Sequence, residues 1–90
     1  MKISIEISMY PLSEKYKPLI TSFLKRLNTY QNITIETNGM STQIFGEFDD
    51  VFQTLKAEIK DEFNKNNKVI FIMKCVNSHL QEKYSNEYFK

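Results

Sequence analysis

Ninety residues, of which 41% are hydrophobic and 26% charged, with seven Phe and five Tyr, describe one globular domain built on a single core. The formal net charge of +1, with Arg26 the sole arginine and lysines interspersed with acids, offers no clustered basic surface and so speaks against nucleic acid as a partner. The lone Cys75 excludes an internal disulfide and reads as a small buried hydrophobe.

The chain begins by alternating where a signal peptide would be continuously apolar, and no run approaches the ~20 apolar residues of a membrane span. The expected compartment is the cytoplasm, where Asn32-Ile33-Thr34 has no meaning as a glycosylation sequon.

Ile3, Ile5, Ile7 and Met9 alternate with Lys2, Ser4, Glu6, Ser8 and Tyr10, the period of a strand with one apolar and one polar face. Pro11-Leu12-Ser13 turns the chain. Ile20, Phe23, Leu24 and Leu27 then recur at helical spacing, and Pro18 suits the first turn, so regular helix is predicted over 18–27. Ile33 and Ile35 alternate with Thr34 and Glu36 as a second strand, followed by the tight-turn pair Asn38-Gly39. A third strand is expected from Met40 to Glu47, with Gly46 marking a bulge or a close approach. Asp49 or Asp50 is placed to cap a second helix whose inner face reads as Phe52, Leu55, Ile59 and Phe63, and Asn64 to Asn67 end it. Val69 to Val76 is a near-continuous apolar run interrupted by Lys74, as expected of a strand covered on both sides. Tyr84, Tyr88 and Phe89 in the tail are candidates to dock on a surface or on another subunit.

Strand, helix, strand, strand, helix, strand with right-handed crossovers is an α+β ferredoxin-like sandwich: a four-stranded antiparallel sheet with both helices on one face. The domain is assigned to residues 1–78 and the tail to 79–90. The first strand then lies between the third and fourth, with Ser4, Glu6 and Ser8 on the face that no helix covers, beside hydroxyls from Ser41 or Thr42. Glu6 and Lys74 can form a cross-strand pair there, although alternation alone does not fix which face Lys74 takes. The apolar fourth strand asks for a cover. A second copy of the chain packed sheet to sheet would supply it, and the polar groups trapped between would need hydrogen-bonding partners such as a polar small molecule.

Catalytic constellations are thin. His79 is the sole histidine and follows the last strand, so neither a triad nor a metal cluster can be assembled around it. The turn Pro11-Leu12-Ser13 lacks the arginine that acylphosphatase-type chemistry needs on this sandwich, and the central strands lack the aromatic residues that would stack RNA bases, with only Tyr10 and Phe45 on offer. No enzymatic activity, cofactor or metal is expected.

Ser8-Met9-Tyr10-Pro11-Leu12 before an amphipathic helix, Gly39-Met40-Ser41-Thr42, and Gly46-Glu47-Phe48-Asp49-Asp50-Val51-Phe52 opening the second helix together resemble the YkoF-like thiamine-binding family over about Ile3 to Ser78. The resemblance implies a ferredoxin-like domain that binds thiamine or its hydroxymethylpyrimidine half without chemistry. It also implies that a single-copy chain works as a homo-oligomer, a homodimer or a homotetramer. The ligand contacts it implies are Ser8, Tyr10, Met40, Ser41, Thr42 and Asn77, with Glu6 placed to favour a cationic thiazolium. The alternative expectation is a structural or regulatory protein-interaction module with no small-molecule ligand.

Overall fold

The computed structural model describes residues 1–65 and 68–81. Six elements follow in the expected order: β1 (Lys2–Pro11), α1 (Tyr16–Leu27), β2 (Ile33–Thr37), β3 (Thr42–Glu47), α2 (Phe48–Asn64) and β4 (Val69–Val76). The strands form one antiparallel sheet in the order β2-β3-β1-β4, with the helices on one face, which is the ferredoxin-like sandwich. Tyr84, Tyr88 and Phe89 lie outside the described residues.

Alternation in β1 does what its pattern predicts. Ile3, Ile5 and Ile7 are buried among Phe23 and Leu27 of α1, Ile33 and Ile44 of the sheet and Val51 and Leu55 of α2. Pro18 sits in the first turn of α1, which begins slightly earlier than its apolar stripe, at Tyr16. Gly46 pairs with Ile3 on one side and Ile33 on the other, and the need for it is a close approach. A Cβ there would lie 3.3 Å from both Ile33 Cγ2 and Val51 Cγ2.

Four expectations are corrected. Neither Asp49 nor Asp50 caps α2, because β3 runs straight into the helix and Glu47 takes the N-cap position with extended backbone. The two aspartates instead occupy the first turn, where the helix dipole favours negative charge.

The inner face of α2 agrees with the predicted one only in part. Leu55 is buried and Ile59 packs against the core, but Val51, Thr54 and Glu62 complete the face, while Phe52 and Phe63 are exposed. The reason is Arg26 on α1, whose guanidinium bonds Glu58 Oε1 at 2.7 Å and also Glu62, so that two acids belong to the helix interface. Tyr30 Oη donates to the second Glu58 oxygen at 2.8 Å.

The third strand starts at Thr42, two residues late, because residues 38–41 form the hairpin loop. Asn38 Oδ1 accepts from the amides of Met40 (2.8 Å) and Ser41 (3.2 Å) and ties that loop together.

Finally, β4 is an edge strand and is not covered on both sides. Ile70, Ile72, Met73 and Val76 are 49, 56, 45 and 38% exposed, and Cys75 is exposed where a buried thiol was expected. The helix layer reaches this strand at Phe71, whose ring meets Phe23 of α1 at 5.1 Å and Phe63 of α2 at 5.9 Å.

Part of the face opposite the helices is covered by the chain itself. Ser4 Oγ donates to Ser78 O at 2.7 Å and accepts from Leu80 N at 2.8 Å, the His79 ring meets Phe45 edge-on at 5.8 Å, and Gln81 Nε2 donates to Glu36 at 3.2 Å. The segment after β4 thus crosses back over β1 and β3 to β2. Phe45 is only 4% exposed in consequence.

Candidate functional site

Strand lengths create the cavity. β1 pairs with β3 only as far as Ile7↔Thr42, yet runs on to Pro11 against β4. From Ser8 onward the β3-facing side of β1 has no strand opposite it, so its backbone polar groups face open space. The hairpin loop closes that space below and the first three turns of α1 close it on the helix side. The result is a cavity of about 370 Å³, within the usual range for small-molecule sites.

Five predicted site residues come together in its lining: Ser8, Tyr10, Met40, Ser41 and Thr42. Tyr10 and Met40 stand at the mouth, 51 and 89% exposed. Thr42 is buried on the helix side of the sheet, so the open face receives its hydroxyl from Ser41 alone, and Thr42 shares a 3.0 Å hydrogen bond with Thr37.

Glu6 stands behind the lip. Its Oε2 accepts from Ser41 Oγ at 3.0 Å, and its Oε1 lies 3.6 Å from Lys74 Nζ, which settles the face of Lys74. Glu6 therefore braces Ser41 and does not itself line the cavity. Asn77 is not brought into the group. It follows Val76, the partner of Ser4, and so lies five strand residues from Ser8, roughly 16 Å away at about 3.3 Å per residue.

Sequence reasoning missed the helix wall. Tyr16, Ile20, Phe23 and Leu24 line the cavity from α1. Tyr16 continues the 20-23-24 stripe one turn earlier, ahead of the helix start predicted at residue 18. Asn38, whose side chain shapes the loop, was read only as a turn former.

Chemically the cavity is lined by the hydroxyl-bearing residues Ser8, Ser41, Tyr10 and Tyr16, an unpaired strand edge, and the exposed ring or thioether surfaces of Tyr10, Tyr16 and Met40, with Phe23 buried behind them. Such a lining suits a flat heteroaromatic ring carrying donors and acceptors on its rim. Perturbed ionisation is found elsewhere, in the helix layer. Burial acts to lower the Arg26 pKa, but hydrogen bonds from Glu62 and Glu58 outweigh it and raise the value. The Tyr30 phenol is raised, chiefly by its hydrogen bond to Glu58. His79 lies on the far face of the sheet against Phe45. Among the described residues no group of three or more His, Cys, Asp or Glu is placed to hold a metal, and no helix is long and apolar enough to cross a membrane.

Solved structures repeat this architecture. A Streptococcus pneumoniae protein superposes with a TM-score of 0.78 at 23% identity, covering 89% of this chain and 90% of that one. A hypothetical protein of Methanocaldococcus jannascii gives 0.73 at 20% identity over 98 and 92% of the two chains. A Thermotoga maritima protein, named provisionally for thiamine biosynthesis or salvage, gives 0.65 at 15% identity over 98 and 95%. At these identities the likeness is one of fold. None of the curated proteins matches the chain. The sequence profile described as the YKOF-related Family matches residues 2–79, and the chain belongs to that family.

Proposed function

We propose that this domain binds thiamine or its hydroxymethylpyrimidine half, without turnover, in the cavity at the end of β1. The observation that carries the reading is the convergence of Ser8, Tyr10, Met40 and Ser41 on one space of about 370 Å³ beside an unpaired strand edge. An aminopyrimidine presents an amine donor and ring-nitrogen acceptors to hydroxyls and backbone groups, and its faces to Tyr10, Tyr16 and Met40. The family and the provisional thiamine assignment of the Thermotoga protein support the same ligand class. A thiazolium would meet aromatic faces, with Glu6 one residue removed behind Ser41.

Isothermal titration with thiamine and with hydroxymethylpyrimidine tests this. Saturable binding near one per chain, weakened about tenfold or more by Ser41→Ala combined with Tyr10→Phe, is expected from the loss of two hydrogen-bonding groups. Flat titrations with both compounds would overturn it.

Self-association belongs to the same reading. The strap after β4 covers part of β1 and β3 on the face opposite the helices, while Ile70 and Ile72 of β4, on that same face, are exposed. A second copy packed against this face covers them, and pairing along the β4 edge, unpaired among the described residues, is the other arrangement. The bare edge also favours a second reading, an interaction module whose partner is another protein. It predicts a stable assembly with no pyrimidine binding under any condition.

A further inference from the structure

The face of the sheet opposite the helices holds a second cavity of about 380 Å³. It exists because the segment after β4 folds back over β1 and β3, with Leu80 forming one wall. Val76 and Leu80 supply apolar sides around the Phe45 ring, while Glu6, Lys74 and Gln43 supply the polar end. Ser4 is spoken for, since its hydroxyl both donates to Ser78 O and accepts from Leu80 N.

The polar end carries both signs of charge. Glu6 Oε1 lies 3.6 Å from Lys74 Nζ, and the lysine is 82% exposed. An exposed pair of this kind is held weakly because solvent screens it, so a ligand that gives each group a closer partner separates it at little cost. A simple anion drawn to Lys74 meets the Glu6 carboxylate, and a simple cation drawn to Glu6 meets the lysine. A molecule carrying an ammonium and a carboxylate a few ångströms apart is repelled by neither. The Gln43 carboxamide, without a hydrogen-bond partner among the described residues, offers a donor and an acceptor beside them.

We propose that this cavity is a binding site for a free α-amino acid with an aromatic or branched apolar side chain. The ammonium lies toward Glu6, the carboxylate toward Lys74, and the side chain against Val76 and Leu80, with Phe45 buried beneath them. The site lies on the other face of the sheet and does not require the pyrimidine reading, although Glu6 joins the two, its Oε2 accepting from Ser41 Oγ of the first cavity at 3.0 Å, so that Lys74→Met is the variant that reads this site alone.

The test is titration of the full chain with L-phenylalanine and L-leucine, and with N-acetyl-L-phenylalanine as the control that keeps the carboxylate and loses the ammonium. Saturable binding of the free amino acids is expected. Affinity should fall about tenfold or more in Glu6→Gln, in Lys74→Met and for the acetylated compound, as loss of one charge-assisted contact requires. Flat titrations with both free amino acids, or affinities indifferent to acetylation, would overturn the proposal, and the acetylation arm decides even where a variant folds poorly. Thiamine titrated into the same preparation reads the first cavity separately.

Discussion

Glu62 of α2 is 1% exposed and bonded to the Arg26 guanidinium of α1, with its second oxygen, Oε2, lacking a hydrogen-bond partner among the described residues. One arginine therefore holds a buried carboxylate at the centre of the helix layer while also binding Glu58. Removing it strands Glu62 away from water with only Lys65 Nζ nearby, at 3.7 Å. Arg26→Ala is expected to cost about 3 kcal/mol of folding stability, the scale for breaking one side of a buried pair. Urea unfolding measures it, and Arg26→Ala with Glu62→Leu should recover part of the loss.

Tyr30 gives the pH dependence. Its hydrogen bond to Glu58 requires the neutral phenol and raises its pKa above the ordinary 10.0. The folded chain thus holds this proton more tightly than the unfolded one. The stabilisation is complete below the unfolded value of 10.0 and is lost as pH rises through the raised folded value. Denaturant midpoints should fall across that alkaline window, and Tyr30→Phe should remove this part of the slope.

Gly46 leaves little room for a side chain. Gly46→Ala places a methyl 3.3 Å from Ile33 Cγ2 and Val51 Cγ2, so these two buried side chains must give by a few tenths of an ångström. A loss of about 1–3 kcal/mol is expected from overpacking, read as a lower thermal midpoint with the β-sheet spectrum retained.

Ser4 pins the segment that crosses the sheet. Ser4→Ala removes the acceptor for the Leu80 amide and the donor to Ser78 O. Amide exchange at Leu80 should accelerate and global stability fall by about 1–2 kcal/mol, while exchange in the helices stays unchanged.

The edge strand is tested by charge. Ile72→Lys puts an ammonium on a surface that is 56% exposed in the single chain, so folding should change little. A lysine on an apolar edge opposes pairing with another strand. If copies join along β4, light scattering should find the variant shifted to monomer, and an unchanged assembly would move the interface elsewhere.

Much of the fold was legible because β1 states its two faces plainly: Ile3, Ile5 and Ile7 demanded a cover of helices or a second sheet, and the element order left one economical topology. The inner face of α2 was legible only in part, at Leu55 and Ile59. Glu58 and Glu62 look like solvent residues until Arg26, 36 positions from Glu62, is seen opposite them. Four of the seven predicted site residues sit within the two turn motifs at the cavity mouth and Thr42 just inside it, and it was the family resemblance of those motifs that pointed to them. Asn77 was misplaced because its position depends on the β1/β4 register, which an apolar run without alternation does not encode.

The overhang of β1 beyond Thr42 ties the cavity to the core. Ile7 and Phe23 belong to both, since each is buried in the hydrophobic cluster and also lines the cavity. The exposed part of the wall comes instead from Tyr10, Tyr16 and Met40. Substitutions that reshape the cavity at its floor therefore cost folding stability, whereas those at its mouth leave the hydrophobic interior untouched.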